Sequence, residues 1–469
     1  MKKLACVLAL CVAALASPGG SYPLDGWERS HIDRLLAYDR ASTFLLARGT
    51  LKPGSLRGIE SIQLALADQP EFKLPSSDPE LMRKLRGVLA GDARGYGIAL
   101  LDLTDPAAPR YAELQGGRTQ NPGSVGKIAV ALALLQAMAD AWPDPADRER
   151  VLRTATITAD PFLGHDSHTV PFWKPGEERV RKRPLQEGDT ASLWTWLDWM
   201  LSVSSNAAAA MVQKHLMLVG HFGSAYPVPE PEAERYFAET PKVQLGKDFR
   251  SLMLDPLGRN GIDRDRFRQG SIFSRYGKGK VPGTNSLATP RELMKFLVAM
   301  EAGRLVDPWS SLELKRLLYL TDRRIRYASH PGLADSAVYF KSGSLYKCGP
   351  EAGFTCEKYH GNVWNYMNSI AIVESDEEGR NLHYIAVVLS NVLRKNSAVE
   401  HQTLAGRIHK IIRSLHPAPE PPPPEPPPPG PPPPGPPPSE PSPVEPSTES
   451  APVAPPAGPE PAVREGRAE

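Results

Sequence analysis

The spacing of apolar positions changes character twice along this chain. Residues 25–92 carry them at helical intervals: Trp27, Ile32, Leu35 and Leu36, then Ile59, Ile62, Leu64 and Leu66 after a break at Pro53-Gly54. From Gly95 the pattern becomes strand-like. Tyr96–Leu103 reads as one strand, Thr104-Asp105-Pro106 as a turn and Arg110–Leu114 as a second strand. A long apolar helix is predicted over Ser124–Trp142, with further helices at Ser192–Leu201 and from Asn206 onward. Thr289-Pro290 predicts an N-cap followed by proline at the first helical position, opening a helix to Ala302. Strands return at Ala337–Phe340, Ser369–Val373 and Tyr384–Leu389, ahead of an amphipathic helix over Val399–Leu415. Strands at both ends with helices between them predict an α/β (α+β) domain. Its antiparallel sheet comes from both ends of the domain and packs against a helical subdomain.

The two termini lie outside that plan. Met1-Lys2-Lys3, the apolar run Leu4–Ala16 and the small residues Ala14-Leu15-Ala16 before a turn form a secretory signal, with cleavage expected after Ala16. That run is too short to span a bilayer comfortably, and no later segment reads as a membrane span. Residues 417–469 hold 25 of the chain's 50 prolines, with eight Glu and two Arg. Such a segment cannot form a core. It is expected to be a disordered tail that samples polyproline II, with a reach on the order of 160 Å. A spacer threading peptidoglycan and an inert solvated tail are both open readings. The organisation is therefore a signal peptide (1–16), an N-terminal helical extension (25–92), a central α/β domain (93–416) and the tail (417–469).

Composition refines this picture. With 41% hydrophobic residues over 469 positions, the chain can bury a sizeable core. The formal charge of +2 divides into −6 for the tail and, by subtraction, about +8 for the remainder. A mildly basic body favours acidic small molecules or an anionic polymer and is too weak a signal for nucleic acid. The expected location is periplasmic or secreted. Cleavage leaves Cys348 and Cys356, whose spacing suits a bridge closing one local hairpin in an oxidising compartment.

Three short motifs carry the candidate chemistry. In Ser124-Val125-Gly126-Lys127 the serine and lysine lie one turn apart on one helix face. An amine whose pKa is lowered by desolvation can take the proton of a serine hydroxyl, and a helix N-terminus favours a developing oxyanion. Alone this pattern is weak, since Ser344-Leu345-Tyr346-Lys347 repeats it within strand-like sequence. Ser204-Ser205-Asn206 lies in a turn between two helices, where it could equally be a cap. Lys341-Ser342-Gly343-Ser344 continues the apolar run Ala337–Phe340 along a strand. Gly164-His165-Asp166-Ser167-His168 offers too few ligands for a metal, and neither metal nor cofactor is expected.

In this order and these settings the motifs make the chain resemble the penicilloyl-serine transferase superfamily, and within it the class A β-lactamases. Leu197–Ala208 and Asn285–Leu293 extend the resemblance beyond the motifs, over roughly 96–415. The resemblance implies that Ser124 is the acylated nucleophile and Lys127 its proton acceptor or electrostatic partner. It implies that Ser204 relays a proton to the leaving nitrogen and that Asn206 holds the substrate amide. Lys341 and Ser342 would bind the substrate carboxylate. Gly343 completes that third motif, and the N–H groups of Ser124 and Ser344 would form the oxyanion hole.

The family's deacylation motif, Glu-x-x-Leu-Asn, does not occur between Asn206 and Asn285. Glu239 has a suitable separation from Ser204 but a mismatched context. Glu230, Glu232 and Glu234 fall in a Pro-rich segment that reads as a surface loop. The expectation is an exported, monomeric serine hydrolase of the class A β-lactamase type acting on β-lactams through an acyl-enzyme. A D,D-peptidase, penicillin-binding or esterase activity on cell-wall peptides is the alternative, because the motif for turnover is not evident.

Overall fold

The computed structural model describes residues 25–42 and 57–418. The expected signal peptide, and the tail beyond its first two residues, lie outside the described residues. Along the chain, helices α1 (Trp27–Ser30), α2 (Asp33–Ser42) and α3 (Pro79–Leu89) precede strands β1 (Tyr96–Asp102) and β2 (Arg110–Leu114). Helices α4 (Lys127–Ala141) and α5 (Pro145–Thr154) follow. Two small antiparallel ladders come next, β3 (Thr156–Thr158) with β6 (Thr190–Ser192) and β4 (Thr169–Phe172) with β5 (Arg181–Pro184). The helical region continues with α6 (Leu193–Ser202), α7 (Asn206–Phe222), α8 (Glu230–Glu239), α9 (Lys242–Arg259), α10 (Arg275–Lys280), α11 (Pro290–Glu301) and α12 (Pro308–Tyr319). Strands β7 (Ala337–Lys347), β8 (Trp364–Ser375) and β9 (Leu382–Asn391) and helix α13 (Ser397–Leu415) close the fold.

The main sheet has the order β2-β1-β9-β8-β7 and is antiparallel throughout. Early and late sequence meet where β1 pairs with β9, Ile98 opposite Val388. The expected architecture is therefore present. Both faces of the sheet are covered, so its strands read as continuous apolar runs. Ala99, Leu101, Tyr339, Ile370 and Val387 face the helical subdomain. Their neighbours Ile98, Leu100, Val338, Ala371 and Val388 face a second core shared with α3 and α13. At the centre of the first core is α4, buried on every side from Lys127 to Met138. Each of its leucines contributes about 2 kcal/mol by leaving water. Contrary to the sequence reading, Gly123–Ala141 is long and apolar enough to cross a membrane, but 72% of its best window is buried inside the fold, as befits a core helix.

Three further expectations need correction. Residues 59–66 are not an extended helix: Ile59–Ser61 makes a single 3-10 turn and the chain then runs irregularly. Ile59, Ile62 and Leu66 are buried all the same, because the core side chains satisfy this backbone. Lys315 Nζ donates to Gln63 O at 2.6 Å, and the Ala65 N–H donates to Glu301 Oε2 at 2.7 Å. Helix α3 is no separate extension, since Leu81, Leu85 and Leu89 belong to the core beneath the sheet. The segment with Glu230, Glu232 and Glu234 is helix α8 rather than a loop. Pro231 stands in its first turn, where proline is tolerated, and Ala233, Tyr236 and Phe237 form its buried face.

The N-terminal segment braces the helical subdomain. Arg34 makes a buried bidentate pair with Asp198 on α6, both bonds 2.6 Å, and donates to Leu320 O at 2.7 Å. Removing either partner would leave an unpaired buried charge beside the helix that leads into the second motif.

Candidate active site

Ser124 lies in a 3-10 turn, Gly123–Gly126, that runs directly into α4. The turn places Lys127 one step behind the serine and fully buried. Its Nζ stands 3.1 Å from Ser124 Oγ, 2.6 Å from Ser204 O and 2.8 Å from Asn206 Oδ1. Burial penalises the ammonium and pushes this lysine down to about 7; Asp166 opposes the shift and Arg323 adds to it. An amine near neutrality beside a serine hydroxyl is a competent proton acceptor.

The second motif occupies the turn between α6 and α7. Ser204 has a left-handed φ of 66°, uncommon for a residue with a side chain. The surroundings hold it there. Lys127 binds its carbonyl, and Ser205 caps α7 by accepting from Ala208 N at 3.1 Å. Asp166 fastens the same helix start from outside. Its Oδ2 accepts from Ser205 Oγ at 2.9 Å, Asn206 N at 2.6 Å and Ala207 N at 3.0 Å. Its Oδ1 is 2.6 Å from His168 Nδ1. Burial alone would raise this carboxyl, but the bonds from His168 and the helix N–H groups outweigh it and hold the group well below the ordinary carboxylate range.

The third motif reaches the serine along β7. Lys341 Nζ lies 2.7 Å from Ser204 Oγ and 3.0 Å from Ser342 O. Gly343 passes so close to the serine turn that a Cβ there would stand 2.4 Å from both Pro122 O and Ser124 N. Only glycine permits this approach, which brings the Ser344 segment alongside Gly123 and Ser124. Burial first, then repulsion by Lys127, Arg326 and Arg323, holds Lys341 well below the usual lysine range.

Ser124, Ser204, Asn206 and Lys341–Ser344 thus line one cleft of about 500 Å³, with Lys127 beneath it. Glu239 is not among the lining residues: it is exposed at the end of α8. Glu230 pairs with Lys214 at 3.2 Å. Cys348 and Cys356 are joined, S–S 2.00 Å, in the connection between β7 and β8 that also carries Tyr359 to the cleft.

Several site residues were missed by sequence reasoning. Asp166 lay in a segment weighed only for metal binding. Arg326 donates to Ser342 Oγ at 2.8 Å, Ser344 Oγ at 2.9 Å and Tyr359 Oη at 3.2 Å. The basic run Arg323-Arg324-Ile325-Arg326 ahead of the Lys-Ser-Gly strand was the available signal. Phe273 places its ring 4.8 Å from Lys127 Nζ. Its loop is pinned by Gln213 on α7, which accepts from Phe273 N at 3.0 Å and donates to Ser271 O at 3.2 Å.

The sequence matches the family model described as the β-lactamase enzyme family over residues 80–412, well over half of the 469. No curated protein matches the chain. Among solved structures, the chain is similar to PBP-A, with 13% identity, a TM-score of 0.44 and coverage of 73% of this chain and 99% of that one. A β-lactamase from Chitinophaga pinensis shows 18% identity and a TM-score of 0.42, with 72% and 99% covered. The TLA-3 extended-spectrum β-lactamase shows 14% identity and a TM-score of 0.46, with 71% and 98% covered. On the family match, the chain belongs to the β-lactamase enzyme family and is a serine β-lactamase-like protein of the penicilloyl-serine transferase superfamily.

Proposed function

We propose that this protein is an exported serine hydrolase of the penicillin-binding type, acylated readily at Ser124 by β-lactams and cell-wall peptides and deacylated slowly. In the first step Ser124 Oγ attacks the carbonyl carbon and its proton passes to Lys127 Nζ. The N–H groups of Ser124 and Ser344 receive the oxyanion. The carbon–nitrogen bond then breaks, and the leaving nitrogen takes a proton through Ser204 Oγ, which lies 3.5 Å from Lys127 Nζ and 2.7 Å from Lys341 Nζ. Water finally cleaves the ester, releasing the acid and restoring the serine.

One observation carries the choice of slow turnover. Among the described residues, no carboxylate bonds to Ser124 or Lys127, and the segment beside them, Arg266–Arg291, which includes α10, contains no Asp or Glu. The Phe273 ring stands against Lys127 instead. An ester there has no carboxylate bonded beside it to activate water, and the barrier to hydrolysis rises accordingly. The signal-like N-terminus supports export to the compartment where cell-wall peptides occur.

Labelling with a fluorescent penicillin tests the assignment. The native protein should give a covalent band that survives denaturation, and Ser124→Ala should give none while retaining its fold by circular dichroism. Persistent labelling of Ser124→Ala would show that another residue is the nucleophile.

A further inference from the structure

The charge lining the cleft exceeds what one carboxylate requires. Lys182, Arg323, Arg326, Lys341 and Lys358 face it, against a single acidic residue, Asp322. Asp322 is already engaged, 2.7 Å from Lys182 Nζ and 2.7 Å from the Tyr38 hydroxyl. The other four cations have no acidic partner among the described residues.

They fall into separate places. Arg326, from the 3-10 turn Arg326–Ser329, and Lys341 on β7 gather around Ser342 and Ser344, where the substrate carboxylate is expected. The Arg326 Nε there is buried without any hydrogen-bond partner. Arg323 belongs to the other wall. Its N–H donates to Ser202 O at 3.2 Å and its Nη1 to Val203 O at 3.4 Å, which ties it to the end of α6 just ahead of Ser204. The first bond fixes the backbone of Arg323 and the second its guanidinium, which keeps its remaining donors for a ligand.

We propose that the cleft is built for an acyl donor carrying two anionic groups: one carboxylate beside the bond that breaks, held by Lys341, Ser342 and Arg326, and a second on the acyl side chain, held by Arg323. This inference rests on the acyl-enzyme reading of the site. Charge crowding supports it. Lys341 and Arg326 are both lowered, chiefly by burial and further by neighbouring cations that include Arg323 in each case. A ligand with two negative charges relieves more of that repulsion than a ligand with one.

Two penicillins that differ by one side-chain carboxylate provide the test: carbenicillin, which has it, and benzylpenicillin, which lacks it. The second-order rate constant for acylation, followed by intact mass, should favour carbenicillin by about tenfold at low salt, a discrimination typical of one well-placed charge pair. The preference should shrink as ionic strength rises. Arg323→Gln should bring the ratio to about one, and Arg323→Lys should retain most of it. A wild-type ratio at or below one would overturn the proposal and mean that both arginines serve one carboxylate; a preference that survives in Arg323→Gln would overturn it too, placing the second carboxylate on another group. If neither compound acylates the wild type, the proposed function itself fails and this inference fails with it.

Discussion

Acylation by a β-lactam should depend steeply on pH through neutrality, because the proton acceptor is a lysine that burial has pushed down to about 7. The neutral amine is the active form, so the rate rises as pH rises. With that value, roughly 1% of the lysine is neutral at pH 5 and roughly 90% at pH 8. The acylation rate constant should therefore climb about tenfold per unit below pH 7, level off, and differ by about 90-fold between pH 5 and pH 8. At higher pH the second-order constant should fall again. Lys341, itself held below the ordinary lysine range, loses there the charge that attracts the substrate carboxylate. Quench-flow mixing with benzylpenicillin and intact-mass detection measures this directly. A profile still rising beyond pH 9 would mean an ordinary, solvated lysine. A flat profile would mean that Lys127 does not take the proton, and either result refutes the role assigned to it.

Other substitutions probe the supports of the site. Gly343→Ala forces a Cβ against Pro122 O and Ser124 N, so β7 must withdraw from the serine turn by about 1 Å; acylation should fall on the order of 100-fold, measured by labelling rate. Asp166→Ala leaves the Asn206 and Ala207 N–H groups without their acceptor and should cost about 1–3 kcal/mol in denaturant unfolding, with slowed acylation as well. Arg326→Gln removes charged donors from Ser342 and Ser344 and should weaken binding of penicillins about tenfold, seen in the concentration dependence of acylation rather than in its limiting rate.

The strands of the sheet were legible because they are covered on both faces and so appear as uninterrupted apolar runs. Helix α11 was legible because Thr289 and Pro290 punctuate its start, and the structure has the Thr289 side chain accepting from Glu292 N. The motif residues could be singled out because their local settings, turn or strand, agreed with their chemistry. Asp166, Arg323 and Arg326 could not. Asp166 is a single acidic residue in irregular chain and the arginines belong to a short basic run outside any motif, and the role of each depends on a contact with a segment distant in sequence. Residues 59–66 misled for the opposite reason: their apolar spacing reports burial against α11 and α12, not helical periodicity. In α8 the glutamates and prolines masked the Ala233-Tyr236-Phe237 face that makes the helix.

Whether the ester on Ser124 forms quickly and breaks slowly can be read from an intact-mass time course with an excess of benzylpenicillin. The mass of a single penicilloyl adduct should appear within the mixing period, map to the peptide containing Ser124 and persist while the excess antibiotic remains unhydrolysed. Antibiotic consumed with no lasting adduct would contradict it, revealing an efficient β-lactamase whose activating base lies elsewhere in the chain.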